Sequence, residues 1–401
     1  MGGKVIALAG RAEFTDIVDP LQRAVWLLVD ATTLTSQRSG RAYLLKGNEE
    51  PPEGFGLYLS RSEIDDRSIG APLVGLPPTL DYLEGGDVVS LNEGGERIRV
   101  LWRNKSRQNS VLLTERCNHY CLMCSQPPKR ANDDWLLDNA FELVRLLPRT
   151  TTEIGFTGGE PTLYGDRFLQ LLKLCHNLLP FAGVHILSNG RRFEDFSFAT
   201  AYAEISNPNM MVGIPLYGAE PALHDYVVQS GGAFDGTIRG ILNLGQLGQR
   251  IEIRVVIHKQ TAPQLVEIAE FISRNLPFVD QVVLMGLEMI GFARANIDDI
   301  WIDPIEYKDE LREAVRRLDR RRVRTMVYNH QLCLIDREVW PFAVRSISDW
   351  KNEYHPECLK CSVADDCGGF FFSAKYRMSE HIRAIPPRDA ERQRPMLSLS
   401  A

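Results

Sequence analysis

The chain has 401 residues, a hydrophobic share of 44% and a formal net charge of −6. That length exceeds what one compact domain needs, and the apolar share suits a globular protein with a real core. A mildly acidic chain is not built to grip nucleic acid by bulk charge, so nucleic acid is not an expected partner.

The start, MGGKVIALAG, carries one lysine and then an apolar run too short for a secretory signal core. Ile6 stands where a myristoylation motif wants Ser or Thr. No run approaches the ~20 apolar residues of a spanning helix, so no membrane is expected either. The expected compartment is the cytoplasm, where thiols stay reduced and free for metals.

Residues 1–108 read as an N-terminal β-rich domain. Pro/Gly breaks at 50–54 and 75–78 separate short apolar runs, and 24–29 and 42–45 are strand-like. Residues 83–91 and 98–102 flank Asn92-Glu93-Gly94-Gly95, which is a hairpin signal. No chemistry-bearing pattern stands out in this part.

From 109 to 303 the pattern alternates. Strands are predicted at 111–114, 153–157, 183–187, 211–216, 250–257 and 281–287. Helices are predicted at 136–147, 166–178, 194–203, 235–247 and 263–274, with another at 304–321. Six strand–helix units argue for an α/β fold, a partial (β/α)6 barrel with a parallel sheet. Chemistry in such folds sits at the C-terminal strand ends. Residues 304–376 form a C-terminal helix plus a cysteine-rich segment that breaks the alternation, and 377–401 is a polar tail.

Eight cysteines are placed unevenly, with none before Cys117. Tight clusters in a chain without secretory signals read as metal sites rather than disulfides. The first cluster, Cys117-Asn118-His119-Tyr120-Cys121-Leu122-Met123-Cys124, follows the first barrel strand. Thiolates hold iron–sulfur clusters. Three thiolates leave one iron of a four-iron cluster open, and that iron could chelate the amino and carboxylate groups of S-adenosylmethionine (SAM). An electron from the cluster would then release a 5′-deoxyadenosyl radical, the cofactor doing the hard chemistry. The alternative is a zinc loop with His119 as fourth ligand, which is sterically awkward between two cysteines.

The second strand ends in Gly158-Gly159-Glu160-Pro161. Two glycines allow close backbone approach to a ligand, and a carboxylate can accept charge-assisted bonds from an ammonium group. Alone it is an ordinary turn. Placed beside the cysteine loop it is more specific, and the two motifs together resemble the radical SAM superfamily over roughly residues 111–300.

The resemblance implies that Cys117, Cys121 and Cys124 bind a catalytic [4Fe–4S] cluster and that the Gly158–Pro161 loop holds the SAM amino group. It places Ser188 and Asn189, in the Ser188-Asn189-Gly190 stretch, at the ribose and carboxylate. Arg254 and residues 285–288 fall where relatives contact carboxylate and adenine. Met123 stands where an aromatic residue is usual, at a position whose adenine contact runs through the backbone. An electron donor of flavodoxin or ferredoxin type is implied as a partner.

Cys333, Cys358, Cys361 and Cys367 make a second group. Four thiolates could close a further [4Fe–4S] cluster, and the C-x2-C-x5-C spacing resembles the shortened auxiliary-cluster segment of peptide-modifying radical SAM enzymes. Tetrahedral zinc stays open, with His330 and His355 as possible additional ligands. Cys175 lies among leucines on a helix and reads as a core thiol. The arginine-rich run 316–322 reads as a solvated helix face, and His224 and Asp225 as structural hydrogen-bonding groups near the barrel mouth.

The stretches His224-Asp225, 232–237 and 346–352, with the late cysteines and the N-terminal domain, resemble the HxsC family of His-Xaa-Ser system maturases. That resemblance implies a ribosomally made precursor peptide and a paired second radical SAM protein. Two other readings stand beside it: a radical SAM enzyme acting on a small molecule or RNA, and a non-catalytic zinc scaffold.

Overall fold

Strand-forming runs gather into two separate eight-stranded sheets in the computed structural model. The structure describes residues 7–14, 24–45, 50–61, 71–92, 96–345 and 353–387. The turn at 93–95, the stretch 346–352 and the end of the tail from 388 lie outside the described residues.

The first sheet comprises β1 (Ala9–Arg11), β2 (Glu13–Phe14), β3 (Val25–Val29), β4 (Ala42–Leu45), β5 (Leu57–Ser60), β6 (Leu73–Gly75), β7 (Val88–Leu91) and β8 (Arg97–Trp102). Its order is β1-β8-β7-β3-β4-β5-β6-β2. Only Ala12 separates β1 from β2, so the two ends of the sheet are one bent stretch of chain. The sheet therefore closes on itself and hides its edges. Ala12, Leu28, Leu57, Val74, Val89 and Ile98 pack inside it. β7 and β8 pair antiparallel, as the hairpin signal anticipates.

The second sheet comprises β9 (Ser110–Leu112), β10 (Glu153–Thr157), β11 (Gly183–Leu187), β12 (Met210–Pro215), β13 (Arg250–Ile257), β14 (Gln281–Gly286), β15 (Thr325–Tyr328) and β16 (Ala343–Val344). All pair parallel, in chain order. Parallel neighbours need crossover connections, and the main ones here are α1 (Asp134–Leu146), α2 (Asp166–Leu178), α3 (Phe196–Ala203), α4 (Pro221–Val228), α5 (Ala233–Gln246), α6 (Leu265–Asn275) and α7 (Lys308–Arg320). β9 and β16 stay at the two edges, so this barrel is open.

Strand alternation decides what faces what. On β10, Ile154 and Phe156 are fully buried against the helices, and Glu153, Gly155 and Thr157 take the other face, the lumen. α7 buries Leu311, Ala314, Val315 and Leu318, the i, i+3, i+4, i+7 stripe of an amphipathic helix. Its arginines point outward and pair: Arg316 with Glu338, and Arg317 with Glu270 and Glu313.

The strands expected at 153–157, 183–187 and 250–257 form over those residues. Two features depart from expectation. α4 fills a stretch for which no element is predicted. β15 and β16 extend the sheet into the segment read as breaking the alternation. β16 has only two residues, too short for any periodicity to register. The two units meet where Val25, Val88 and Trp102 share a core with Leu137 and Ala140 of α1, and the Arg99 guanidinium stacks on Trp135 at 4.7 Å.

Candidate active site

The first cysteine loop leaves the top of β9. Buried Asp133, just before α1, fixes that exit by accepting from Thr114 Oγ1 at 3.0 Å and pairing with Arg116 at 3.0 Å. The loop is then clamped from both sides. The Tyr120 and Leu122 amides donate to the Val228 and Val227 carbonyls at the end of α4, at 3.0 and 2.9 Å. Phe292 N–H reaches the Cys124 carbonyl at 2.8 Å, and Asn296 Nδ2 reaches the Leu122 carbonyl at 2.8 Å.

The glycine pair locks against the loop's first turn. Gly159 N–H donates to the Thr114 carbonyl at 2.7 Å, and Glu160 N–H to the Arg116 carbonyl at 2.8 Å. A Cβ on Gly159 would fall 2.1 Å from the Arg116 carbonyl oxygen, so only glycine permits this approach.

Glu160 turns away from the cavity into the protein and is fully buried. It accepts from Thr162 N at 3.0 Å, Thr162 Oγ1 at 2.6 Å, Ser188 Oγ at 2.8 Å and Asn189 N at 2.6 Å. Burial raises its pKa, against the pull of these bonds. The carboxylate thus ties the end of β10 to the end of β11. Asn189 completes the link, donating from Nδ2 to Asn118 Oδ1 of the cysteine loop at 2.7 Å.

These loops surround a cavity of about 290 Å³ at the C-terminal strand ends. Cys117, Cys121, Cys124, Met123, Gly158, Gly159, Ser188, Asn189 and Arg254 all line it. Glu160 and Pro161 are not among its lining residues; Pro161 opens a short turn of 3-10 helix behind it. Arg254 is turned down the lumen, with Nη1 3.0 Å from Glu252 Oε1 and Nη2 3.2 Å from Met285 Sδ. The sequence reading passed over Tyr217 and Asn329, which also line the cavity. Tyr217 follows β12 by two residues, and strand-end position was the available signal. Asn329 follows β15 with a left-handed φ of 62°.

Burial pushes the Cys117 thiol up to about 12, and the Cys121 and Cys124 thiols upward too. At Cys117 the Glu160 carboxylate and the Cys124 sulfur add to this, and at Cys121 the other two sulfurs do, because neighbouring negative charges repel. Such a trio suits a cationic occupant that compensates the sulfurs. The His119 amide lies 3.4 Å from Cys117 Sγ, oriented as a donor to sulfur. The His119 ring is buried, with neither nitrogen bonded, and burial lowers its pKa to about 4.

Cys333, Cys358, Cys361 and Cys367 line one small pocket beyond the end of β15. Backbone amides face two of the sulfurs: Leu332 N–H at 3.5 Å from Cys367 Sγ, and Ile385 N–H at 3.4 Å from Cys361 Sγ. The nearby histidines are engaged elsewhere. His330 bonds Tyr307 Oη through Nε2 at 2.9 Å and the Tyr328 carbonyl through Nδ1 at 2.8 Å. His355 Nδ1 accepts from Glu357 N–H at 3.2 Å. Among the described residues, no three Cys, His, Asp or Glu close on a point as ligands of a single ion. Cys175 is fully buried in the core of the sheet and its helices.

The family model for the radical SAM superfamily matches residues 111–272. The chain carries a radical SAM domain. Such a domain implies a [4Fe–4S] cluster and SAM, and the cavity's thiol trio, its sulfur-facing amide and its glycine cradle fit both. Among solved structures, SuiB from Streptococcus suis is similar at 16% identity with a TM-score of 0.45, over 57% of this chain and 50% of that one. The chain thus spans about half the length of SuiB. A structure of anSMEcpe with bound AdoMet and a Cp18Cys peptide is similar at 16% identity with a TM-score of 0.48, over 69% and 91% of the two chains. A radical SAM methyltransferase from Sphaerobacter thermophilus is similar at 14% identity with a TM-score of 0.44, over 65% and 74%. No curated protein matches the chain. Among the described residues, no helix is long and apolar enough to cross a membrane.

Proposed function

We propose that the chain is a radical SAM maturase that modifies a ribosomally made precursor peptide, of the His-Xaa-Ser (HxsC) type. The observation that carries the enzyme reading is the single cavity shared by Cys117, Cys121, Cys124, Gly158, Gly159, Ser188 and Asn189. When bound, the cluster and SAM supply a 5′-deoxyadenosyl radical for hydrogen abstraction.

The chain's own residues do the rest. The three cysteines would hold the cluster and leave one iron for SAM. The Gly158–Gly159 backbone would meet the SAM amino group. Glu160 keeps that backbone in register with Ser188 and Asn189, which would meet the ribose and carboxylate, and Met123 would flank the adenine. Arg254 would turn up from Glu252 to meet negative charge. Buried Met123 and Tyr217 help exclude water from the site.

The peptide reading rests on the second cysteine group and on the sequence resemblance. The four gathered thiols and the amides facing them suit an auxiliary [4Fe–4S] cluster, with His330 and His355 committed to other partners. The stretch 346–352, which contributes to the resemblance, lies outside the described residues. A second radical SAM protein, a flavodoxin- or ferredoxin-type donor and a cytoplasmic setting belong to the same proposal.

The test is anaerobic purification with iron, sulfide and zinc analysis, followed by assay for 5′-deoxyadenosine. A co-expressed precursor peptide is then weighed, with deuterium exchange to catch epimerisation. Zinc without iron overturns the enzyme reading. SAM turnover with an unmodified peptide overturns the maturase reading alone.

A further inference from the structure

The half-barrel holds a second large cavity at its other mouth. About 310 Å³ lies open at the N-terminal ends of β9 to β14. Closed eight-stranded barrels fill this region with packed side chains. Here Gly155 and Gly183 face it and leave it empty, while polar groups line the remainder.

Its charges can be matched one by one. Glu252, with a side chain 3% exposed, pairs with Arg254 at 3.0 Å and lies 3.5 Å from His185 Nε2. Gln281 Nε2 donates to its other oxygen. Arg250 pairs with Asp280 at 3.2 Å. Arg254 lines both cavities, so the Arg254–Glu252 pair is the floor of the upper one and the roof of the lower. One acid has no ion-pair partner among the described residues. Glu153 lines the chamber at its mouth; His185 is the counter-group that acts on it, and among the described residues no group hydrogen-bonds to its carboxylate. Gln108 and Asn209 also line the chamber, while the Asn109 amide is held by the Arg103 and Ser106 backbone.

We propose that this lower chamber is a binding site for an alkylammonium or guanidinium head group, with Glu153 as its counter-charge and the Gln108 and Asn209 amides as additional acceptors. A cation there would form charge-assisted bonds with a carboxylate that lacks a matched partner. Burial holds the Glu153 carboxyl above its usual value against the pull of His185, and a bound cation would reverse that. The cation could be a basic side chain of a peptide or a free amine. Both share this chemistry, and the proposal stands without the maturase reading.

The test is calorimetric titration of the iron-reconstituted full chain with N-acetyl-lysine amide, n-butylamine and N-acetyl-norleucine amide. Binding by the first two and not by the neutral third is the expected result. A preference for the capped lysine identifies a peptide source, and a preference for butylamine a free amine. Two variants localise the site. Glu153→Gln removes the charge at an exposed position. Gly183→Leu plugs the chamber, and a Cβ there meets nothing nearer than the Thr152 carbonyl oxygen at 3.7 Å. Each should weaken cation binding by about tenfold or more, the scale of one lost charge-assisted bond. Equal binding of the neutral amide, or undiminished cation binding in Glu153→Gln, overturns the proposal. No SAM turnover enters the readout, so failure of the maturase reading leaves this result untouched.

Discussion

The two cysteine groups are built in opposite ways. The first occupies eight consecutive residues, Cys117 to Cys124, and its neighbours clamp a loop already short enough to gather three thiols. The second spans Cys333 to Cys367 and depends on distant pieces of chain meeting. Cys333 is positioned by the end of β15. Cys358 lies within a 3-10 turn, and Cys361 and Cys367 each end one, in a segment closed by an antiparallel bridge between Glu353 and Phe370 with N–O distances of 2.6 and 2.8 Å. A local site is fixed by sequence spacing. A distributed site is fixed by tertiary pairing and is therefore more separable from the rest of the protein.

The largest expected effect tests that separation directly. Cys121→Ala removes one of the three proposed ligands of the first group and should abolish 5′-deoxyadenosine formation, measured by chromatography with mass detection. Continued SAM cleavage would refute the assignment of this loop. Cys361→Ala should behave differently. It should lower the iron content to about half, as expected if two four-iron clusters are present, yet leave SAM cleavage without substrate intact. Loss of SAM cleavage in both variants would show that the two groups are one functional unit.

A third substitution probes the clamp rather than the ligands. Gly159→Ala places a methyl group against the Arg116 carbonyl and within 3.1 Å of Cys117 Cβ. Overpacking of this kind costs about 2 kcal/mol. Denaturant unfolding should show that loss, and SAM cleavage should fall because the displaced residue adjoins Cys117, a proposed ligand. A stable, fully active variant would mean that the glycine approach is not what seats the loop. The second cysteine group lies apart from this contact, so its metal loading should be unaffected.

Much of this site was legible because its signals are local. Cys117, Cys121 and Cys124 announce themselves by spacing, and the barrel strands around them by alternation. The Gly158–Pro161 motif was legible as a loop, but not the direction of its carboxylate. Glu160 faces Ser188 and Asn189, a contact set by the packing of two parallel strands. Asp133 is a further example, since nothing in its surroundings marks it as the anchor for Thr114 and Arg116. The closure of the first sheet was hidden for the same reason. It depends on a bend at Ala12 between strands of three and two residues, below the length at which periodicity speaks. The empty lower chamber was hidden too, because a glycine facing a lumen looks like any strand glycine.

The smallest expected effect distinguishes the support of the second group from its thiols. His330 lies three residues before Cys333, with Nδ1 against the Tyr328 carbonyl and Nε2 against the Tyr307 hydroxyl. The carbonyl only accepts, so Nδ1 carries the proton and Nε2 accepts from the tyrosine: a neutral ring, bonded at both ends. Burial lowers its pKa from 6.5 to about 4, outweighing the opposite pull of the Tyr328 carbonyl. The unfolded chain therefore binds a proton that the folded chain refuses, and stability is lost as pH falls from 6.5 towards 4. Between about pH 7 and about pH 5.5 this histidine accounts for about 1 kcal/mol of the loss. His330→Gln removes the titrating group while keeping an amide of similar reach. Its unfolding free energy should be lower than the parent's at neutral pH, yet less sensitive to acid by that amount. Equal pH slopes for the two proteins would mean that His330 is charged in the folded state, and so free to act near the thiols rather than merely to brace β15.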